Sequence, residues 1–468
     1  MKRSKRLLVL LGVLAVACAA TLVVWRMEEE KEQIKVSGEV VLEIPADQVI
    51  ALSWDYEDTS LAFHKDETWL YDSDEAFPVS EEAVEELLDQ FSAFSAAFTI
   101  EEAEDLGQYG LADPLCTIEI STEEENYEIL LGDYSAMDSQ RYVSIGDGNV
   151  YLAASDPLDA YDVTLEDMIQ HDDTPYFETV SAIRFTGAAD YEIFYEEGNA
   201  AAWREEDVYF TEQNREDQPL DAALVEDYLL SITGLDLTDY VTYNATEEEI
   251  AACGLDDPEL TVEVDYTTED EEGETASGTL TLSLSRDPEE LAALADQSEE
   301  DTEEEEEITA YARVGDSQIL YQISGSDYET LMAASYDDLR HREILPGDYE
   351  NVTGLTVTLE GETYAITSEG DGDDRTFFYG EEELDMTDLQ SALEALTADS
   401  FTDASPAGKE EIRLTVTFDL EDHPQTEIVL YRQDGSTCLA EVDGEPVALV
   451  DRSAAVDLIE AIHAIVLT

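Results

Sequence analysis

Apolar and polar residues alternate in short runs at three places along the chain. "VIALSWDYEDTSLAFHKDETWLYD" (49–72), "VSAIRFTGAADYEIFYEEGNAAAWREED" (180–207) and "VTGLTVTLEGETYAITSEGDGDDRTFFYGEEE" (352–383) each read as strands joined by tight turns. A helical spacing follows each run. The segments are "PVSEEAVEELLDQFSAF", with Pro78 and Ser80 as its start signal, then "PLDAALVEDYLLSITGL" and "MTDLQSALEALTAD". A strand-rich half comes next, with four strands predicted in every case. In the first it is "CTIEIST", "YEILLGDYS", "RYVSIGDG" and "NVYLAAS". The last two strands are joined by "GDGN" (146–149), and "VGDS" (314–317) and "VDGE" (442–445) fill the same place later. These are hairpin signals, because glycine accepts the positive φ that such turns need. A short helix is expected to close each unit, near 156–169, 326–340 and 451–466.

The pattern therefore predicts an α+β fold of three repeated units of antiparallel strands with packed helices. The units run over about 46–173, 177–346 and 350–468, after a linker at 28–45. The second unit carries an acidic insertion, 285–307, read as a solvated, mobile loop.

One phrase is written twice. "YGLADPLCTIEIS" (109–121) returns as "CGLDDPELTVEVD" (253–265), which sets Gly110 and Gly254 144 residues apart. Gly110-Leu111 and Gly254-Leu255 stand between the helix and the strand-rich half. Glycine permits a chain reversal, leucine anchors it, and Pro114 or Pro258 ends any helix and launches an extended strand. These residues are expected to be structural joints. The third unit has "SPAGKEEIRL" there and keeps neither Gly-Leu nor Asp-Pro.

Charge changes the picture outside the core. The chain holds 21 basic and 116 acidic residues, a net −95. Residues 1–27 contain Lys2, Arg3, Lys5, Arg6 and Arg26 and no acid, so everything beyond them is at −100. Such a field repels nucleic acid and anionic lipid headgroups and favours cations and basic partners. Because the acids are spread along the whole chain, a generally acidic proteome or adaptation to high salt is the plainer reading of them.

Leu7–Trp25 gives 19 residues without a charge. At about 1.5 Å per residue this spans a bilayer core. The cationic flank precedes it and "EEEKE" follows, so the positive-inside rule keeps the N-terminus cytoplasmic and places residues from about 28 onward outside. A cleaved signal peptide ending near "AVACAA", or a lipid on Cys18, are the rival readings. Beyond Cys18, Cys116, Cys253 and Cys438 are odd in number and far apart, which suits small buried hydrophobes better than a disulfide framework.

No catalytic constellation emerges. The five histidines (64, 171, 341, 423 and 463) show no metal-ligand spacing, and there is no nucleophile elbow or phosphate loop. No cofactor site or discrete metal site is expected. "GDGDDR" (370–375) and "DTEEEEE" (301–307) are rich in hard oxygen donors but lack calcium-loop spacing, so they suggest diffuse cation binding only. "DLRHREILP" brings Arg340, His341 and Arg342 together in an acidic chain. They are candidate contacts for a partner's acid, or for neighbouring carboxylates of the chain itself.

An N-terminal span followed by "YGLADP", "YEILLGDYS" and "RYVSIGDGNVYL" resembles the bacterial membrane-anchored family catalogued as domain of unknown function 4340. The likeness is fullest over 105–153 and looser over 49–346. The second unit keeps "CGLDDP" and "YARVGDSQILYQI" but has "LSLSRD" in place of a strand ending in "LGD". The resemblance supplies no catalytic residue. Some family members are encoded beside an ABC-type transport system. The expected role is a single-pass, membrane-anchored extracytoplasmic interaction or scaffold protein. Its membrane contact would be 7–25, and its partner a transporter permease or another membrane protein with basic surface. The alternative is a ligand-binding ectodomain for a cell-envelope polymer or small molecule, which needs a concave aromatic pocket between units.

Overall fold

The computed structural model describes residues 38–269, 273, 275–296, 308–370, 372 and 375–466. The predicted span 7–25, Cys18 and the acid run 301–307 lie outside these residues. Among the described residues no helix is long and apolar enough to cross a membrane.

The chain is mostly β. The first sheet is built from β1 (Glu39–Leu42), β2 (Val49–Tyr56), β3 (Thr59–Lys65), β4 (Trp69–Tyr71), β5 (Phe94–Ile100), β6 (Cys116–Thr122), β7 (Asn126–Ser135), β8 (Gln140–Ser144) and β9 (Val150–Ala153). The second holds β10 (Thr179–Gly187), β11 (Tyr191–Tyr195), β12 (Tyr209–Gln213), β13 (Glu216–Pro219), β14 (Tyr240–Thr242), β15 (Leu260–Glu269), β16 (Thr275–Arg286), β17 (Ala310–Val314) and β18 (Leu320–Ile323). The third holds β19 (Val352–Leu359), β20 (Glu362–Glu369), β21 (Thr376–Tyr379), β22 (Glu382–Leu384), β23 (Ser400–Phe401), β24 (Glu410–Phe418), β25 (Gln425–Arg432), β26 (Thr437–Val442) and β27 (Glu445–Asp451).

All three sheets are nine-stranded, and their pairings are antiparallel. The second runs β13-β12-β11-β10-β15-β16-β17-β18-β14 and the third β22-β21-β20-β19-β24-β25-β26-β27-β23. The first follows the same plan but reaches nine strands differently. It lacks the fourth strand of the opening meander and adds β1 at the far edge, giving β1-β5-β9-β8-β7-β6-β2-β3-β4. The first sheet belongs to one compact unit, ending at Asp172, and the second and third share another that starts at Asp173.

Alternation explains the layers. In β2 and β6, Leu52, Trp54, Ile118 and Ile120 are buried on one face while Asp55 and Glu119 lie exposed on the other. The helix Glu81–Ser92 buries Val84, Leu87, Leu88 and Phe91, and Ser80 caps it by accepting from the Ala83 N–H. Tyr161 is wholly buried, donates to the Leu87 carbonyl at 3.0 Å and meets the Trp54 ring edge-on at 5.6 Å. Cys116, Cys253 and Cys438 are free and buried, and burial pushes the Cys116 thiol up to about 12 and that of Cys438 to about 11.

Several sequence expectations need correction. Residues 39–42, inside the expected linker 28–45, form β1, because Leu42 and Ile44 carry apolar contact surface next to the sheet. A strand after each helix (β5, β14, β23) was not expected: β14 and β23 have only three and two residues and carry no readable period, and the seven residues of β5 follow the helix directly, where Phe94 continues its apolar spacing. Within the predicted loop 285–307, Pro288–Asp296 is helical. The closing helix of the first unit shrinks to Leu158–Tyr161 and a turn at Glu166–Met168, and that of the second splits into Gly325–Met332 and Tyr336–Leu339. The third is a full helix, Arg452–Val466.

Candidate functional site

The repeated phrase folds into a close backbone contact. Gly110 caps the turn Leu106–Tyr109 with a left-handed φ of 71°. A Cβ there would lie 2.7 Å from the Asp133 nitrogen, and a Cβ on Gly132 would lie 2.2 Å from the Tyr109 carbonyl. Leu111 is buried beneath, with its side chain against Gly132. So "YGL" and "LGD" are two halves of one joint, which only glycine permits. The register of β7 slips between Leu131 and Tyr134, a bulge that frees the Gly132 carbonyl from the ladder. Arg141 takes it up: Nη1 donates to that oxygen at 2.8 Å while Nε donates to Asp156 at 2.6 Å. In the second unit Gly254 has a φ of 70°, and a Cβ would meet the Ser285 hydroxyl at 2.6 Å. Leu255 is buried. After Pro258, the Glu259 carboxylate accepts from the Arg286 N–H and the Tyr328 hydroxyl. Replacing Gly132 by alanine is expected to cost about 1–3 kcal/mol through forced displacement of the 106–111 turn. Denaturant unfolding of the first unit checks this, and an unchanged midpoint would refute it.

The basic triplet lies where the second and third sheets meet inside their shared unit. His341 Nε2 is 2.8 Å from Asp207 Oδ1, and its Nδ1 is 2.9 Å from Arg204 Nη1. Arginine only donates, so Nδ1 accepts, and the hydrogen on Nε2 goes to Asp207. Asp207 is 2% exposed, and its second oxygen accepts from the Trp203 and Arg204 backbone N–H groups. Burial, with Glu206 nearby, raises the carboxyl of Asp348, which faces Arg204 at 3.6 Å. Trp203 stacks on His423 at 4.1 Å and meets Phe418 edge-on, both from the third sheet's unit. Gly347 lets the chain pass within van der Waals distance of Trp203 and Phe418. Arg342 donates to the Ala398 and Asp399 carbonyls.

Arg340 turns the other way, into a cleft of about 810 Å³ between the β12–β13 hairpin and the β23 and β27 strands. Its guanidinium lies 3.5 Å from the Phe401 ring centroid and 4.8 Å from that of Tyr336, and pairs with Asp337 at 3.0 Å. Gln213, Asn214 and Gln218 bring amides to one wall, while Glu216, Asp403 and Glu445 bring carboxylates. Such a lining hydrogen-bonds neutral polar or cationic groups and repels anions. Among the described residues no group of three or more His, Cys, Asp or Glu is placed to hold a metal.

A family model described as Domain of unknown function (DUF4340) matches residues 69–258 and again 211–415. The chain belongs to that family. No curated protein and no solved structure matches it. Both DUF4340 matches begin in equivalent strands, at Trp69 of β4 and Thr211 of β12. The first ends at Pro258, within the second joint. The geometry also explains why this DUF4340 chain writes its motif unevenly. In the second sheet Leu284, Ser285 and Arg286 pair regularly with Ala312, Tyr311 and Ala310, so there is no bulge and no glycine-aspartate. Ala310 stands where the first sheet needs Arg141. Sequence reading passed over Arg141 and Asp207. A usable signal existed for the first: it is the only Lys or Arg between Lys65 and Arg184.

Proposed function

We propose that this DUF4340 protein is a single-pass, membrane-anchored extracytoplasmic interaction protein that serves as an accessory of an ABC-type transport system. The observation that carries the reading is the uncharged run 7–25, cationic before and acidic after, followed thirteen residues on by the first strand of the first sheet. The repeated architecture supports it. Three sheets of one design give broad surface on one anchor, and the residues of the family motif are spent on the joint, with no reaction centre among them. The −100 field beyond the anchor selects a partner with basic surface.

Crosslinked co-purification from native membranes, comparing the full chain with a form lacking residues 1–27, tests this. A transporter permease recovered with the full chain alone is the expected result. Recovery of nothing specific sinks the accessory role. The second reading is a ligand-binding ectodomain for an envelope polymer or small molecule. The cleft beside Arg340 favours it, being concave, partly aromatic and set between two sheets. Saturable binding that is lost on Gln218→Ala would establish it.

A further inference from the structure

The outer face of the first sheet changes character from one end to the other. Toward β2, β3 and β6 it presents Ser53, Asp55, Ser60, Thr117 and Glu119, which pair across the strands as a polar surface. Toward β1 and β5 it is apolar. Ala96 faces the core at 4% exposure, so Ser95 faces out. The register slips between Ala96 and Phe98, which returns Phe98 to the outer face opposite Leu152. Val40 stands opposite Ser95 on the same face. Phe98 is 61% exposed and Val40 52%; beside Phe98, Leu152 is only 8% exposed and pairs with Tyr142 of β8, whose ring meets Tyr109 of the Leu106–Tyr109 turn at 4.9 Å.

We propose that the Val40–Phe98 patch rests on the lipid surface of the membrane; this depends on the anchored reading above. Three observations select lipid as the occupant. The patch sits on the strand by which the chain enters the sheet. Thirteen residues separate Trp25 from Glu39, so extended chain holds the patch within about 50 Å of the bilayer. The acidic flank Glu28–Glu30 disfavours anionic headgroups, which makes zwitterionic lipid the fitting surface. Phe98 and Val40 then lie shallowly among headgroups, with the polar end of the face turned to water.

The test uses the full chain carrying Cys18→Ala in phosphatidylcholine vesicles. Phe98→Cys and, separately, Ser60→Cys are labelled with a fluorophore, since Cys116, Cys253 and Cys438 are buried. Headgroup-spin-labelled lipid is expected to quench position 98 several-fold more than position 60. Equal quenching in protein that resists a carbonate wash overturns the patch and leaves the anchor standing. Protein released by the wash overturns both. The unlabelled Phe98→Glu variant is expected to lower the quenching of a label at Val40→Cys several-fold, and no change there also overturns the proposal.

Discussion

Replacing Asp207 by alanine is expected to destabilise the unit that holds the second and third sheets by about 3–5 kcal/mol. Three donors lose their acceptor at once: the Trp203 and Arg204 N–H groups and His341 Nε2. None regains water easily, because the carboxylate they converge on is 2% exposed. Arg204 keeps Glu343 and Asp348 at 3.5 and 3.6 Å, which softens the loss without restoring the hydrogen bonds. Asp207→Asn separates charge from shape. Its amide oxygen still serves the backbone, but its NH2 meets the hydrogen on His341. An intermediate cost is expected. Trp203 emission reports the seam directly, and hydrogen exchange over 203–208 and 341–348 gives a second reading. An unchanged midpoint with unchanged exchange would show that the network is ornamental.

Arg141→Met should produce a comparable loss, about 3–5 kcal/mol, in the first unit. The side chains of Arg141 and Asp156 are 8% and 13% exposed, so the pair is nearly dry. Methionine fills the space but leaves Asp156 charged and the Gly132 carbonyl without its donor. Arg141→Lys is expected to rescue only part, since an ammonium on a flexible stem lacks the fork that reaches both acceptors. Adding Asp156→Asn to Arg141→Met should recover part of the loss, because it removes the stranded charge. Trp54 and Trp69 lie in the core of this unit and report its unfolding. If the double variant is as damaged as the sum of its parts, the two residues act independently.

The repeat was legible because its signals are local. Asp443-Gly444, Gly146 and Gly315 sit at positive φ in the hairpins that the phrases "VDGE", "GDGN" and "VGDS" announce. Ser80 and Asp221 cap the helices that follow the opening strands. The joint was legible as a reversal, through Gly110-Leu111 and Gly254-Leu255. What it closes against was not, because Gly132 lies on another strand and its bulge is defined only by pairing with β8. The Asp207–His341 link spans 134 residues and has no period to betray it. In a chain with 116 acids, no single aspartate stands out as the buried one. Its few cations are the better guide: Arg141 is buried and Arg204 mostly so, each among acceptors.

The way the first sheet gains its ninth strand bears on where the protein can be cut. β5 reads "FSAAFTI", with no charge in seven residues, and β1 covers it with Glu39 and Glu43 alongside. A fragment begun at residue 46 would uncover that strand as a bare, uncharged edge. Unpaired N–H and C=O groups on such an edge recruit another copy's edge, and the product is aggregation rather than a smaller folded protein. The eight residues 38–45 thus act as a gatekeeper against self-association, and a soluble preparation has to retain them.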